Sequence, residues 1–127
     1  MIEHAFVYAV HMEIIRNILL LLHLAGMAGI LISLIKTRTK IATGLVHSAL
    51  LATVAGIALV GIRYPLHSSD PMKWPLPDNA KIGIKLTFVL IILALAFANK
   101  KKESISYNVW AFIAALTIGN IIIAVVW

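Results

Sequence analysis

The sequence predicts an all-α polytopic membrane protein, a single domain over residues 1–127 with four transmembrane helices in an up-and-down bundle. Hydrophobic residues make up 61% of the 127 residues, and the mean hydropathy is +0.99. The apolar residues form four runs of about twenty, the length of helix that crosses a bilayer core. Helices are expected because a helix satisfies every backbone N–H and C=O within its own segment, as a hydrocarbon environment requires.

The four predicted spans cover residues 14–35, 41–62, 82–99 and 106–127. The basic stretches KTRTK and NKKKE end the first and third spans. The second span is expected to end at RYP, because Pro65 disfavours helical backbone at Tyr64. The connection at residues 64–81 contains all four prolines, which predicts an extended external loop.

The distribution of positive charge predicts the orientation. Six of the eleven basic residues lie in the two short loops after the first and third spans. Since the positive-inside rule gives short loops the greatest weight, we expect these loops to face the cytoplasm and both termini to lie outside it, in the plasma membrane. The basic residues behind the net charge of +6 are then expected to set the topology and to contact anionic lipids, so nucleic acid is not an expected partner. The absence of cysteine excludes disulfides and thiolate metal ligands.

Small and polar side chains within the spans predict how the helices pack, because close approach at such residues drives association in lipid. Asn120 is expected to form an interhelical hydrogen bond. The third span has few polar atoms and is expected to face lipid or a partner subunit. The predicted packing residues are Gly26, Gly29, Ser48, Ala52, Gly56, Thr117, Gly119 and Asn120.

Two histidines, His23 and His47, lie within apolar runs, where a neutral imidazole still needs a partner for its N–H. Each ring could donate to a carbonyl or hydroxyl of a neighbouring helix, belong to a proton relay, or bind the iron of haem b. Gly26 could give a flat macrocycle room against the backbone. The predicted depths of the two rings differ by roughly 9 to 11 Å, whereas two axial nitrogens on one iron lie within about 4 Å. One haem held by both rings would therefore require a helix to shift.

The remaining histidines carry weaker signals. His4, Tyr8 and His11 share a stripe if the N-terminal segment is helical, but His4 and His11 are then roughly 10 Å apart, too far for one metal ion. His67 is a single imidazole in a loop. The sequence contains no phosphate-binding glycine motif, catalytic serine motif or zinc pattern, so no catalytic residue and no metal site is predicted.

Four stretches carry a resemblance to a known group of proteins: LLHLAGMAG, GLVHSALLATVAGIALVGIR, KIGIKL and WAFIAALTIGNIIIAVVW. They resemble small four-span integral membrane proteins of actinobacteria that have no assigned activity. They are also similar, more distantly, to the four-span units of copper-resistance and haem-related membrane families. The resemblance implies the architecture and a plasma-membrane location, and it implies no reaction.

Three functions from different classes are compatible with these features. The sequence favours a non-enzymatic accessory or structural subunit of a larger membrane complex, or a homo-oligomer, since loops are short and no complete active site occurs. A haem-binding electron-transfer or haem-handling protein is the alternative, with His23 and His47 as axial ligands. A small oligomeric transporter or channel is the third, and its polar pathway would use Asn17, His23, His47, Thr117 and Asn120.

Overall fold

The computed structural model describes residues 2–76 and 78–126, and it contains four helices and no strand in that part of the chain. They are α1 (Ile2–Lys36), α2 (Thr43–Ser69), α3 (Asn79–Asn99) and α4 (Tyr107–Val126). Each is long and apolar enough to cross a membrane. The predicted all-α, four-span fold is therefore confirmed, and Trp127, the predicted end of the fourth span, lies outside the described residues.

The helices form a ring in which each packs against its neighbours in sequence and α4 closes against α1. Within the described part of the chain, no packing occurs across the diagonals, between α1 and α3 or between α2 and α4. The most extensive contact joins α1 to α2. The centre is apolar and includes Met27, Ile30, Leu45, Ile92 and Ile113, all fully buried.

Close backbone approach defines the α1–α2 contact. A Cβ atom on Gly26 would lie 2.7 Å from the backbone N of Ala52 and 2.8 Å from the backbone O of Ser48. A Cβ on Gly29 would overlap the Ser48 hydroxyl. Gly26 therefore lets the two helix backbones touch, and Gly29 makes room for the Ser48 side chain, the arrangement that small residues permit in membranes.

The two basic loops lie together at one end of the bundle. The Ile105 N–H donates to the Thr39 carbonyl at 2.7 Å and joins one loop to the other, while Ile41 and Ile105 are buried beneath them. Trp110 Nε1 donates to the Leu34 carbonyl at 2.9 Å and attaches α4 to the end of α1. All six loop cations therefore lie at the same end of the molecule.

Two helices extend beyond the predicted membrane spans. Helix α1 begins at Ile2, twelve residues before the predicted span, because residues 2–13 contain no glycine or proline and Glu3 suits the positive end of the helix dipole. Helix α2 continues through Pro65 to Ser69 and does not end at residue 62.

The turns beyond Pro65 are held by contacts that offset the hydrogen bond lost at proline. Leu66 is only 1% exposed, and the Asp70 N–H donates to its carbonyl at 3.0 Å. His67 Nδ1 donates to the Trp74 carbonyl at 2.9 Å. The predicted extended loop at residues 64–81 is consequently reduced to residues 70–78, and the Asp78 side chain caps α3 by accepting from Ala80 N and Lys81 N.

The close contact at Gly26 predicts that an added methyl group lowers the stability of the bundle there and not at Gly61. Gly26→Ala forces the backbones of α1 and α2 apart, and overpacking of this kind costs about 1–3 kcal/mol. Gly61→Ala is the matched control, because a Cβ there meets nothing within 4 Å. We expect the first variant to unfold at a lower temperature in detergent and the second to match or exceed the parent; equal stability of the two variants would contradict the packing described.

Candidate functional site in the bundle interior

His23 is the titratable side chain that the structure places inside the bundle, with 9% of its surface exposed. Its Nδ1 lies 2.7 Å from the Ala52 carbonyl of α2, and its ring edge packs on Gly56, where a Cβ would come within 3.2 Å. The carbonyl can only accept, so Nδ1 carries the proton and donates. His23 thus makes the interhelical hydrogen bond that an imidazole in hydrocarbon needs.

The same bond fixes the chemistry of the other ring nitrogen. A neutral imidazole protonated on Nδ1 presents a lone pair on Nε2. No described residue donates to that atom. An N–H bonded to a backbone carbonyl also orients the ring and raises the basicity of the opposite nitrogen, the usual arrangement around metal-ligating histidines. His23 Nε2 is therefore a proton acceptor or ligand atom without a protein partner.

His47 is in a different environment. It lies in the second turn of α2 and its side chain is exposed on the surface of the bundle. Ala52, which His23 contacts, is five residues further along, roughly 7.5 Å in height and about 140° around the helix. The structure therefore does not bring the two histidines together.

Gly26 does not provide the room that a flat macrocycle would need. The α2 backbone fills the space in front of it. The predicted role of Gly26 in accommodating haem is therefore wrong, and its role is helix packing. A ligand of His23 Nε2 would therefore have to approach from a side other than that of Gly26.

Asn120 of α4 is another polar side chain inside the bundle, with 1% exposure. Its Nδ2 lies 3.8 Å from the sulfur of Met27, a weak acceptor, and its Oδ1 has no hydrogen-bond partner. Met27 is one turn after His23 on α1, so both polar groups belong to the same region of the interior. Asn120 Oδ1 and His23 Nε2 are both acceptors without a donor.

Thr117 and Gly119, the other α4 residues predicted to pack, have separate environments. Thr117 is fully buried and its hydroxyl donates to the Ile113 carbonyl of its own helix at 2.7 Å. Gly119 faces α3, where a Cβ would come within 3.3 Å of the Phe88 ring. Asn17 and His47, which were also predicted for the polar pathway of a transporter or channel, are exposed. The five residues predicted for that pathway are therefore divided between the surface and the interior of the bundle.

Sequence reasoning missed Met27 as the neighbour of Asn120 and Trp110 as the donor that joins α4 to α1. The sequence contains no signal for either contact, because each depends on how one helix is rotated against another. His4, Tyr8 and His11 form the predicted stripe on α1 and all three are exposed. No group of three histidine, aspartate or glutamate side chains that could hold a metal ion occurs among the residues described.

Comparison with known proteins gives no match for this chain, whether by family model, against curated proteins or against solved structures.

The unsatisfied amide of Asn120 predicts a stabilising substitution. Asn120→Leu keeps a similar volume and removes a buried acceptor without a partner, so we expect unfolding in detergent to become less favourable by about 1 kcal/mol. Thr117→Val is the control, since it removes a hydroxyl that is already satisfied within α4. A less stable Asn120→Leu protein would contradict this account, because it would mean that the amide has a partner.

Proposed function

We propose that this protein is an accessory subunit of a larger assembly in the plasma membrane and that it binds its neighbour through the outer section of α1. The supporting observation is an exposed apolar surface on residues 6–15, which precede the twenty residues of α1 that a bilayer core needs. The proposal rests on this surface.

The level of the hydrocarbon boundary follows from the charged residues. Arg16 precedes Lys36 by twenty residues on α1, and Arg63 follows Thr43, the first residue of α2, by the same number. Twenty helical residues rise about 30 Å, the thickness of a bilayer core. Arg16 and Arg63 therefore mark one boundary, and residues 6–15 extend up to about 15 Å past it.

The side chains on this outer section have two distinct faces. Tyr8 lines a groove with Pro65, Ser68 and Ser69, and Glu13 pairs with Lys73 at 2.7 Å, so this side faces the end of α2. Phe6, Val7, Val10 and Ile14 fall within an arc of about 100° and face away from α2, all exposed. An apolar stripe at this spacing, outside the hydrocarbon, is typical of a helix that docks in a groove of another protein.

We also propose an orientation of the protein in the membrane. The two basic loops, joined by the bond between Ile105 and Thr39, carry six cations at one end. Their charge density supports a cytoplasmic position for that end, with both termini on the opposite side. The α1 stripe would then meet its partner at the outer surface of the membrane.

The proposal predicts that charges on the stripe release the partner and leave the bundle folded. We expect the double variant Phe6→Glu, Val10→Glu to migrate from native membranes as a smaller species than the parent, because both altered side chains are exposed on the surface of the bundle. A photoreactive residue at Val10 should form one discrete protein adduct in the parent, whose mass shows whether the partner is a second copy.

The matched control is His4→Glu, His11→Glu, which adds the same charges to another side of the same section. This control should migrate as the parent does. Recovery of the parent as a monomer without a protein adduct, or equal release by both double variants, would contradict the proposal.

A second candidate function, haem binding, is supported by the free Nε2 of His23. The bond from Nδ1 to Ala52 gives the ring the protonation state and fixed orientation of an axial ligand. His47 is exposed and separate, so His23 would act as the one histidine ligand from this chain. Bound haem would supply one-electron transfer or be passed to another protein.

Absorption spectroscopy tests the haem candidate. Protein purified after haem-replete expression should show a Soret band that is lost in His23→Ala and retained in His47→Ala, which also serves as the control for folding. Absence of the band in the parent, or a band of equal intensity in both variants, removes haem from the function of this protein.

A further inference from the structure

The connection between α2 and α3 holds Trp74 at the centre of a group of positive charges. The guanidinium carbons of Arg16 and Arg63 lie 5.2 Å and 5.4 Å from its ring centroid, and Lys73 Nζ lies 5.4 Å from it. The backbone of Trp74 is held in place, because its carbonyl accepts from His67 Nδ1 and its backbone N–H donates to the Asp70 carbonyl at 2.9 Å. Three cations, from α1, α2 and the connection, thus converge on one side chain.

Arg16, Arg63 and Lys85 form no ion pair with a carboxylate among the described residues. Arg16 and Arg63 both lie against the Trp74 ring, where two like charges repel each other, and Lys85 lies on the second turn of α3, the helix that packs beside α2. The Glu13 carboxylate is paired with Lys73 at 2.7 Å.

Burial distinguishes these cations from those at the opposite end. Arg16, Arg63 and Lys85 are partly buried, whereas Lys36, Arg38, Lys40 and Lys100 to Lys102 are all exposed. Exposed cations in short loops are neutralised by water and mobile ions. Partly buried cations that repel one another are stabilised by a bound anion, because the low local dielectric strengthens both the repulsion and the attraction.

The position of the group indicates what kind of anion fits. Arg16 and Arg63 lie at the calculated edge of the hydrocarbon, the level of lipid phosphates, and Lys85 lies close by on the neighbouring helix. Guanidinium groups bind phosphate oxygens through paired N–H donors, and an ammonium adds a point charge. We propose that Arg16, Arg63 and Lys85, next to Trp74, form a binding site for a phosphate-bearing anion between α1, α2 and α3.

The test uses the full chain in nanodiscs of zwitterionic phosphatidylcholine, with thermal unfolding as the measurement. One arm adds phosphatidylglycerol to the bilayer and the other adds inorganic phosphate to the buffer, with chloride at equal ionic strength as reference. We expect one of the two to raise the unfolding temperature: stabilisation by the lipid alone assigns a headgroup, and stabilisation by free phosphate assigns a soluble ligand. No stabilisation in either arm overturns the proposal.

Lys85→Gln is the informative variant, because Lys85 takes part in the charge group and makes no contact with Trp74 that would be lost. Removing one basic residue should weaken anion binding roughly fivefold. Without the anion, the variant should be at least as stable as the parent, since one repelling charge is gone; a purely structural lysine would give the opposite sign. Arg63→Gln should weaken binding in the same way.

Lys101→Gln is the control, which removes one exposed charge from the opposite end. It should retain the stabilisation by the anion. Equal loss of stabilisation in Lys85→Gln and Lys101→Gln would show that total charge and not this site attracts the anion, and so would overturn the proposal, as would destabilisation of Lys85→Gln in the absence of anion.

Discussion

The close approach of α1 and α2 at Gly26 fixes the positions of the other functional elements. Because the two backbones touch at this point, His23 reaches the Ala52 carbonyl one turn before Gly26, and its ring fits over Gly56. The same approach sets the register of the two helices, so that Arg16 and Arg63 emerge at one level beside Trp74. A side chain at residue 26 would separate the helices, and both the imidazole bond and the charge group depend on that spacing.

Hydropathy and length were sufficient to predict four membrane helices and their order, because every backbone group in hydrocarbon has to be bonded within its helix. They were not sufficient at Pro65, where local backbone preference predicted an end, whereas contacts of Leu66 and His67 hold the helix as far as Ser69. The environment of His23 also depends on helix rotation. The sequence identified it as a polar residue in need of a partner, but which carbonyl it meets is decided by how α2 turns toward α1, and the contact of Asn120 with Met27 has the same origin.

The two ends of the bundle use positive charge in different ways. At the end with the basic loops, six exposed cations surround a compact junction that Ile105, Thr39 and Trp110 hold together. At the other end Arg16 and Arg63 are partly buried and both lie against the ring of Trp74. A rule that only counts charges finds six basic residues at one end and five at the other, and it treats the two ends as nearly equivalent. Burial makes a cation costlier in electrostatic free energy, so the end with fewer cations carries the larger cost.

The interior of this bundle is mostly satisfied, and this limits where function can arise. Buried threonines such as Thr53 and Thr117 donate to carbonyls of their own helices, and the centre is filled by apolar side chains. Oδ1 of Asn120 is the exception among the buried side-chain atoms of the described residues, and Nε2 of His23 also accepts no hydrogen bond from them. The other candidate binding features lie on the surface of the bundle: the apolar stripe of α1 and the cationic group at Trp74. Both occur at the end of the bundle opposite the basic loops, on different sides of α1.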